Sequence, residues 1–592
     1  MLNFLKSRLF FLLVVLVLSG YMAWEGCYRW YGPFELPLWS IGAAALLAGS
    51  CCGMQLMRRL KKQVLPTPAS LWLLLLLSIV VDGSCNLYAF QTPWQLHLSV
   101  LMTMACFCLV WALLRVWSLL FWLTFLLLEL IQYGAFLQYG SRINSLVVAE
   151  TLEASMEEIL IYLTPMNGCL LVGGILASLA CCWVLYRILR KQKSPALLNA
   201  ACLFGGLSLL FALLVPPNRQ VQDFYWPAAE MPVLWESVSE ALTINQATIN
   251  QVENLPSPTE QPSEILSLKG GEGVVLIVHV GESIRADRMS INGYVRNTTP
   301  WLKEQKNLIN FPVCISSACD TCQAQIAILT DGRRDIYEKN PELMPKTGSV
   351  LDLFEANGFD IYSFFGRRCA QKLKYDRVVR ILTRRSVKRY NAPGSPWTSV
   401  PQMKEVLEAQ EQGQNLVFFI NNEGSHTPFY HYNRENPPFA PASSDFHNPA
   451  AQAKEVNNAY DSTIHYTDEF VRRVAELLKG RPFVYVYVSD HGEYLGHDGI
   501  WGRAGLGESH LSYHATDGCK VGMFVLASPE FYELHPHFDA ALQQMRANST
   551  KTVAHEHIFH TLLGLFKLKT PHYNAELDLT QPQVQPYTGS MP

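Results

Sequence analysis

The chain has 592 residues, of which 49% are hydrophobic, and its formal net charge is −3. This length is too great for one ordinary domain. A net charge near zero gives no electrostatic footprint for nucleic acid, so we expect no nucleic-acid partner. The average conceals two regions, because residues 1–215 consist largely of apolar runs, whereas residues 216–592 have the composition of an ordinary soluble protein.

The first region, residues 1–215, is predicted to be a polytopic α-helical membrane domain. Its apolar runs approach the ~20 residues that a helical span requires. Residues 98–135 admit two interpretations, either two spans or a re-entrant or interfacial pair that would leave five spans in total. We favour seven spans, at residues 9–24, 38–57, 69–90, 98–114, 117–135, 163–186 and 197–215.

Basic segments orient this membrane domain. Lys6 and Arg8 precede the first run, "RRLKK" (58–62) follows the second, and "RILRKQK" (187–193) follows the sixth. With seven spans these segments share one side of the membrane, and the positive-inside rule makes that side cytoplasmic. The C-terminal region is therefore expected outside the cytoplasm. In a Gram-negative cell this predicts an inner-membrane protein with a periplasmic domain.

Residues 216–270 are predicted to bridge the two regions. Pro216 and Pro217 end the last apolar run, because proline interrupts a helix. The stretch "EMPVLWESVSEALTINQATINQ" could form a helix along the membrane, and "NLPSPTEQPSE" has the composition of a linker. The C-terminal domain is therefore expected to span residues 271–592.

In the C-terminal domain, strand-like and helix-like patterns alternate. Helical patterns such as 350–358 and 460–480 separate nearly continuous apolar runs. This alternation indicates an α/β domain with a mainly parallel sheet buried on both faces. The predicted strands are 274–280, 359–365, 415–421, 483–489 and 522–528.

Ionisable residues follow three of these predicted strands. Glu282 follows the first, His426 follows the run 415–421, and the adjacent Asp490 and His491 follow the run 483–489. Ligands bind at the carboxyl ends of strands in such sheets, and carboxylates with imidazole suit Zn²⁺ or Mn²⁺. The alternative is that Glu282 caps the following helix and His426 satisfies a buried polar group.

A metal site of this kind suits phosphoryl chemistry, which also needs a nucleophile. The segment "CISSACDTCQAQIAILTDG" (314–332) has hydroxyls and small residues before an apolar helical pattern. Thr321 could lie at a helix N-terminus, where backbone N–H groups and the helix dipole favour a phosphate. The alternative is that Thr321 is only an N-cap.

Five segments together resemble the phosphoethanolamine transferases of Gram-negative envelopes. They are "VHVGESIRADRMSINGYVRNTTPWL", the Cys/Thr segment, "GSHTPFYHYN", "NNAYDSTIHYTDEFV" and "SDHGEYLG". The resemblance covers residues 271–528 and extends to the layout of the membrane region. It implies a catalytic domain of the alkaline-phosphatase/sulfatase superfamily behind a membrane domain. It also implies a phosphatidylethanolamine donor and a membrane glycolipid acceptor such as lipid A or lipopolysaccharide core.

The resemblance also implies roles for individual residues. Glu282, Asp490 and His491 match the zinc ligands of the family, and Thr321 matches its threonine nucleophile, whose oxygen also meets the metal. His426 matches a histidine that contacts the phosphate side of the site. Zn²⁺ is therefore the expected cofactor, and a covalent phospho-enzyme on Thr321 is the expected intermediate.

Two positions depart from the family pattern. Asn421 and Arg503 stand where the family carries histidines that help with a second zinc or with the substrate, so a second metal is in doubt. Arg503 could bind phosphate directly. Lys372 is a further candidate for substrate contact, although its basic segment "GRRCAQKLK" could equally be a solvated face. We expect Asn421, Arg503 and Lys372 near the substrate, and we expect a monomer.

Other functions stay open at this point. A phosphoglycerol transferase or a sulfatase would share the superfamily, although a sulfatase needs Cys or Ser where Thr321 stands. A non-catalytic envelope scaffold would have a degenerate site. An oxidising periplasm favours disulfides, but the connectivity cannot be read from the sequence. The cysteines outside the membrane region are Cys314, Cys319, Cys322, Cys369 and Cys519.

Overall fold

The computed structural model describes most of the C-terminal part of the chain. No described helix is both long enough and apolar enough to cross a membrane. The seven predicted spans and Lys372 lie outside the described residues, so the predicted domain bounds stay predictions. The described residues are Val148, 230–255, 263–268, 271–333, 345–366, 373–392, 396–422, 424–427, 429, 436–443, 451–497, 500–503 and 517–587.

Helices and strands alternate along the described chain. The helices are α1 (Glu230–Glu253), α2 (Pro300–Glu304), α3 (Thr321–Leu329), α4 (Val350–Glu355), α5 (Leu373–Leu382), α6 (Ser399–Ala409), α7 (Ala453–Leu477), α8 (Pro529–Leu534), α9 (Pro536–Asn548) and α10 (Glu556–Leu565). The strands are β1 (Glu264–Ile265), β2 (Val275–Gly281), β3 (Leu308–Ile315), β4 (Phe359–Gly366), β5 (Lys388–Ala392), β6 (Asn415–Asn421), β7 (Phe483–Ser489), β8 (Glu493–His497), β9 (Ile500–Arg503), β10 (Lys520–Ala527), β11 (Val553–Ala554) and β12 (Leu568–Lys569). The helix predicted in the bridge is α1.

An eight-stranded sheet organises this unit, in the order β11-β3-β10-β7-β2-β6-β4-β5. The pairings that join β7, β2, β6, β4 and β5 to one another are all parallel. Strand β10 pairs antiparallel with both β3 and β7. Strand β11 pairs parallel with β3, so the mixed sheet is mainly parallel, as the sequence predicts, and only the two pairings of β10 are antiparallel. All five predicted strands are present, as β2, β4, β6, β7 and β10.

The sheet is buried on both faces, as its apolar strands require. Every residue of β2, β6 and β7 is buried. Because side chains alternate along a strand, successive residues of β2 enter different cores. Leu276, Val278 and Val280 pack in one hydrophobic cluster, and Val275 and Ile277 pack in the other. The central strands are thereby fixed, and so are the positions of the residues that follow them.

Strand β3 was not predicted, because it contains Pro312, which cannot donate a ladder hydrogen bond. The structure accommodates the proline at a register shift. Phe311 pairs with Met523 and Cys314 pairs with Val521, so two residues of β3 oppose one residue of β10. This irregularity is a β-bulge. The residue opposite, Gly522, donates its N–H instead to the carbonyl of Ile284 (3.0 Å), in the turn that follows β2.

Candidate metal and nucleophile site

The turn after β2 is held by hydrogen bonds from two neighbouring elements. Ser283 has a positive φ of 59°, which is uncommon for a residue other than glycine. The hydroxyl of Tyr460 on α7 donates to the Ser283 carbonyl (2.7 Å) and accepts from the Arg285 N–H (2.9 Å). The Ser489 hydroxyl at the end of β7 accepts from the Ile284 N–H (2.7 Å). These contacts support a strained backbone at the point where Glu282 enters the site.

Three buried residues from the ends of two adjacent strands converge on one point. Glu282 follows β2, and Asp490 and His491 follow β7, which is its parallel neighbour. One ligand atom from each of the three lies within 4.8 Å of the others. Nε2 of His491 is 3.3 Å from Oε1 of Glu282 and 3.4 Å from Oδ2 of Asp490. Parallel pairing of strands of matched length brings these three side chains together.

The hydrogen bonds around His491 orient its ring toward these oxygens. Its Nδ1 is 3.0 Å from the carbonyl oxygen of Gly492. Because a carbonyl can only accept, Nδ1 carries a proton, and Nε2 is the ring atom that faces the carboxylates. Oδ1 of Asp490 is held by the N–H groups of Ser283 (2.9 Å) and His491 (2.7 Å). Two carboxylates and one imidazole nitrogen, all buried and within 4.8 Å of one another, form a donor set that fits a metal ion such as Zn²⁺.

Thr321 is the first residue of α3, and its hydroxyl faces the same point. Oγ1 lies 3.3 Å from Oε2 of Glu282 and 3.5 Å from Nε2 of His491. The residue is buried. The helix is capped by Asp320, whose Oδ1 accepts from the N–H of Gln323 (2.9 Å). The alternative that Thr321 is only an N-cap is therefore wrong.

Glu282 does not cap a helix either. The helical turn that follows it, Ala286–Arg288, has Arg285 at its N-cap position, without a side-chain cap. Glu282 instead accepts from the Ser283 hydroxyl (2.9 Å) and from Thr321. The carboxylate is thus directed into the site.

His426 lies on a loop that touches the backbone of Glu282. The N–H of Ser425 donates to the Glu282 carbonyl (2.8 Å). A Cβ atom at Gly424 would lie 2.7 Å from the same carbonyl oxygen, so only glycine fits at this approach. The ring of His426 is half-buried, and its Nδ1 is 2.5 Å from the Thr427 carbonyl. The structure thus brings the loop that carries His426 beside the site.

The structure gives the positions of two predicted substrate contacts, Asn421 and Arg503, in the strands β6 and β9. Asn421 ends β6, where its amide accepts from the hydroxyl of Tyr375 and donates to the carbonyl of Val280 (3.0 Å). It thus ties β6 to β2 just before Gly281. Arg503 is the last residue of β9. The roles of Asn421, Arg503 and His426 with the substrate stay predictions.

The motifs that carry the family resemblance contact one another around the turn after β2. Asp461 on α7 receives the hydroxyl of Tyr294 (2.9 Å), and its carboxylate is 2.7 Å from Nη1 of Arg296 and 3.4 Å from Nη1 of Arg288. The segments "NGY" and "AYD" therefore contact each other and support the turn that carries the site. The sequence showed only that these segments occur in order, and it gave no signal of which residues pair.

The carboxylate of Asp468 supports the start of α2 from α7. It accepts from the N–H groups of Trp301 and Leu302, both at 2.9 Å. Desolvation by burial raises the pKa of Asp468 to about 6, although the two N–H donors lower it. The "TTP" segment is thus held by "YTD".

His555 is a site neighbour that the sequence did not indicate. Its Nδ1 accepts from the N–H of Ser317 (3.2 Å), so its Nε2 carries the proton and donates to the carbonyl of Ser489 (2.9 Å). Burial lowers the pKa of His555 to about 4, so the ring is neutral at pH 7. It joins the segment before Thr321 to the end of β7. It follows a two-residue strand, which leaves no periodic pattern to detect.

Four described cysteines, Cys314, Cys319, Cys322 and Cys519, are buried. Cys314 has a free thiol, and burial raises its pKa well above the ordinary value, with a smaller effect from Cys519. The disulfide expected from an oxidising compartment is therefore not formed at Cys314. The apolar environment of β3 and β10 makes it a small hydrophobic residue.

Comparison with known proteins places these features in a family. A sulfatase family model matches residues 274–568. Residues 274–568 are a sulfatase-family domain. The phosphoethanolamine transferase EptA of Salmonella typhimurium is 27% identical over 473 residues, which cover 75% of this chain and 82% of that protein. The Kdo(2)-lipid A phosphoethanolamine 7''-transferase of the same organism is 23% identical, over 59% of each chain.

A solved structure shows the same fold. The integral membrane protein lipooligosaccharide phosphoethanolamine transferase A of Neisseria meningitidis superposes with a TM-score of 0.63 and 19% identity. The match covers 86% of this chain and 97% of that one. The chain resembles the phosphoethanolamine transferases of the alkaline-phosphatase/sulfatase superfamily. The predicted resemblance and the predicted enzyme class are confirmed.

Proposed function

We propose that this protein transfers phosphoethanolamine from phosphatidylethanolamine to a membrane glycolipid such as lipid A or lipopolysaccharide core. The observation that carries the proposal is the position of the Thr321 hydroxyl, 3.3 Å from Glu282 and 3.5 Å from His491. A hydroxyl at a helix N-terminus, beside a buried set of metal ligands, is the arrangement that phosphoryl transfer through an enzyme nucleophile requires. The names of the relatives, a phosphoethanolamine transferase and a Kdo(2)-lipid A phosphoethanolamine 7''-transferase, support transfer of phosphoethanolamine to a lipid A acceptor.

In the proposed first step, Thr321 Oγ1 attacks the phosphorus of the phosphatidylethanolamine headgroup. A bond forms between Oγ1 and phosphorus, and the bond from phosphorus to the diacylglycerol oxygen breaks. Glu282, whose Oε2 accepts the Thr321 hydroxyl, is placed to receive its proton. The proton then passes to the departing diacylglycerol oxygen. The first turn of α3 directs its N–H groups and dipole toward the phosphate.

In the second step, an acceptor oxygen of the glycolipid attacks the phosphoethanolamine on Thr321. A bond forms between that oxygen and phosphorus as the bond between Oγ1 and phosphorus breaks, and the proton that the acceptor oxygen carried passes to Oγ1 of Thr321. Splitting the transfer into two displacements makes each an ordinary substitution at one phosphorus atom. The acceptor needs to reach Thr321 only after diacylglycerol has left.

We propose that Glu282, Asp490 and His491 hold a zinc ion, with the Thr321 oxygen as a further ligand. Bound there, zinc would neutralise phosphate oxygens and lower the pKa of the threonine hydroxyl. The supporting observation is the position of Nε2 of His491, which lies 3.3 Å from Oε1 of Glu282 and 3.4 Å from Oδ2 of Asp490. His426, Arg503, Asn421 and Lys372 remain proposed contacts of the substrate.

The location and assembly of the protein belong to the same proposal. Donor and acceptor are both lipids, so the catalytic domain must be kept near the outer face of the inner membrane. We propose residues 1–215 as the membrane domain, residues 216–270 as the bridge and residues 271–592 as a periplasmic domain. We propose that the protein acts as a monomer.

A reconstitution experiment tests this function. Full-length protein in vesicles would be supplied with phosphatidylethanolamine labelled in its headgroup and with lipid A, and the lipids would be analysed by mass spectrometry. We expect labelled lipid A and an equal amount of diacylglycerol. Glycerol phosphate on the acceptor, from phosphatidylglycerol supplied in parallel, would indicate a phosphoglycerol transferase instead. Free phosphoethanolamine without a modified lipid would indicate a hydrolase.

A further inference from the structure

A buried ion pair lies at the N-terminus of the helix that carries Thr321. Nζ of Lys374, at the start of α5, is 2.9 Å from Oδ2 of Asp320. The side chains are only 6% and 10% exposed, so the pair is little screened by solvent. The other oxygen of Asp320 accepts from the N–H of Gln323 (2.9 Å) and caps α3. One carboxylate thus fixes the helix start and binds a cation from another element.

The position of Asp320 creates an electrostatic conflict with an anionic substrate. Asp320 directly precedes Thr321, so its carboxylate belongs to the same helix terminus that would receive the phosphate. An N-cap aspartate stabilises the helix. Its negative charge nevertheless repels a phosphate group that approaches the neighbouring residue. An opposite charge beside Asp320 removes this repulsion and keeps the cap.

Helix α5 also fixes the other components of this side of the site. The residue after Lys374, Tyr375, donates to Asn421 at the end of β6, and its hydroxyl accepts from Gln325 on α3 (3.3 Å). The first turn of α5 therefore contacts both the nucleophile helix and the strand beside β2. Lys374 is held in place by the packing of its neighbour.

We propose that Lys374 is a positioning residue for the reaction at Thr321. Its ammonium group cancels the charge of Asp320 next to the incoming phosphate, while Asp320 itself caps α3. This inference rests on the proposed function, because it assumes that Thr321 receives a phosphoryl group. It concerns a pair of residues that is distinct from the metal ligands.

Charge-changing variants of the full-length protein test the inference by the order of their transfer activities. Lys374→Met leaves the Asp320 charge beside the phosphate, so we expect kcat/KM for phosphatidylethanolamine to fall by about tenfold to a hundredfold, mainly through KM. Asp320→Asn retains a capping side chain and should transfer at least as fast as the wild type. The double variant Asp320→Asn, Lys374→Met restores local neutrality and should recover to within a few-fold of the wild type. Lys374→Arg retains the charge and should also recover.

A purely structural role of the ion pair predicts a different order of transfer activities. In that case Asp320→Asn would lose activity, and the double variant would be as impaired as Lys374→Met, which would overturn the inference. Arg384→Met provides a matched control, because Arg384 pairs at 2.8 Å with the buried Asp352 on α4, outside the four-residue site. It should lower the unfolding temperature without raising KM. Thr321→Ala is assayed in parallel to separate the two proposals. Transfer by this variant would refute the proposed reaction at Thr321. If this variant is inactive and the Lys374 variants show the structural order, only the role of Lys374 is refuted.

Discussion

The two sides of the candidate site are built in different ways. The ligand side consists of Glu282, Asp490 and His491, which follow two adjacent parallel strands and are positioned by backbone pairing. The nucleophile side consists of Thr321 at the start of α3, which is positioned by side-chain contacts such as Asp320 with Lys374. A strand end is fixed by every ladder hydrogen bond before it, whereas a helix start depends on a few partners. We therefore expect the ligand side to be robust in geometry and the nucleophile side to be sensitive to single charges.

The largest expected effect is at Thr321. Thr321→Ala removes the only atom to which phosphorus would bond in the proposed first step, so transfer should fall by about 10⁴-fold or more. The protein should still fold and bind metal, because Asp320 provides the cap. Thr321→Ser keeps the hydroxyl and should retain measurable activity. The measurements are lipid transfer, metal content and a mass spectrum of the Thr321 peptide without acceptor, which should show a phosphoethanolamine adduct in the wild type.

Activity of the alanine variant near the wild-type rate would place the nucleophile elsewhere. Ser316, Ser317 and Thr330 would then be tested in the same assay. Thr330 would be the least expected of these, because its hydroxyl donates to the Ile326 carbonyl within the helix.

Removing two of the three ligands at once should abolish metal binding on the ligand side. The double variant Asp490→Ala, His491→Ala leaves Glu282 as the one remaining ligand of the three, so we expect stoichiometric zinc to be lost, together with transfer. Elemental analysis of the purified protein measures this directly, and the wild type should contain zinc. Zinc retained at one equivalent by the double variant would refute the ligand assignment, and manganese in the wild type would refute the choice of metal.

The contrast between the two sides also explains what could be predicted from the sequence. Glu282, Asp490 and His491 follow nearly continuous apolar runs, so the apolar character of β2 and β7 alone predicted that these residues lie at one sheet edge. Thr321 required the family resemblance, because its segment has no strong pattern. The pair of Lys374 with Asp320 depends on the packing of α5 against α3, which no local pattern encodes. Strand β3 was missed because a bulge absorbs Pro312, and the bulge exists only through its partner β10.

The frame around the ligand side predicts a smaller effect at Tyr460. Its hydroxyl joins the Ser283 carbonyl to the Arg285 N–H, and Tyr460→Phe leaves both groups buried without this partner. We expect a loss of about 1–3 kcal/mol in the free energy of unfolding and a fall in transfer of about tenfold, because the turn that carries Glu282 loosens. Thermal unfolding and the transfer assay measure the two effects.

Tyr485→Phe is the matched control for Tyr460→Phe. The hydroxyl of Tyr485 on β7 contacts Nδ1 of His279 (2.6 Å) in the core, away from the turn. This variant should lose stability without a comparable fall in activity. Equal effects of both variants on activity would show that the Tyr460 bridge has no special role in positioning Glu282.

The smallest predicted effect is a pH dependence of stability that originates at Asp468. Burial raises the pKa of this carboxyl to about 6, whereas in the unfolded chain its pKa is about 3.9. A raised folded-state pKa means that the native state binds the proton more tightly. The contribution of Asp468 to stability is therefore fully present below pH ~4 and is lost as the pH rises through ~6.

Asp468→Asn cannot titrate, although it loses one of the two acceptors that hold Trp301 and Leu302. The difference in unfolding free energy between wild type and variant should therefore change by roughly 2 kcal/mol between pH 4 and pH 7, in favour of the variant at the higher pH. Denaturant unfolding at both pH values measures it. A difference that is independent of pH would mean that Asp468 is ionised throughout, and that the two N–H donors outweigh its burial.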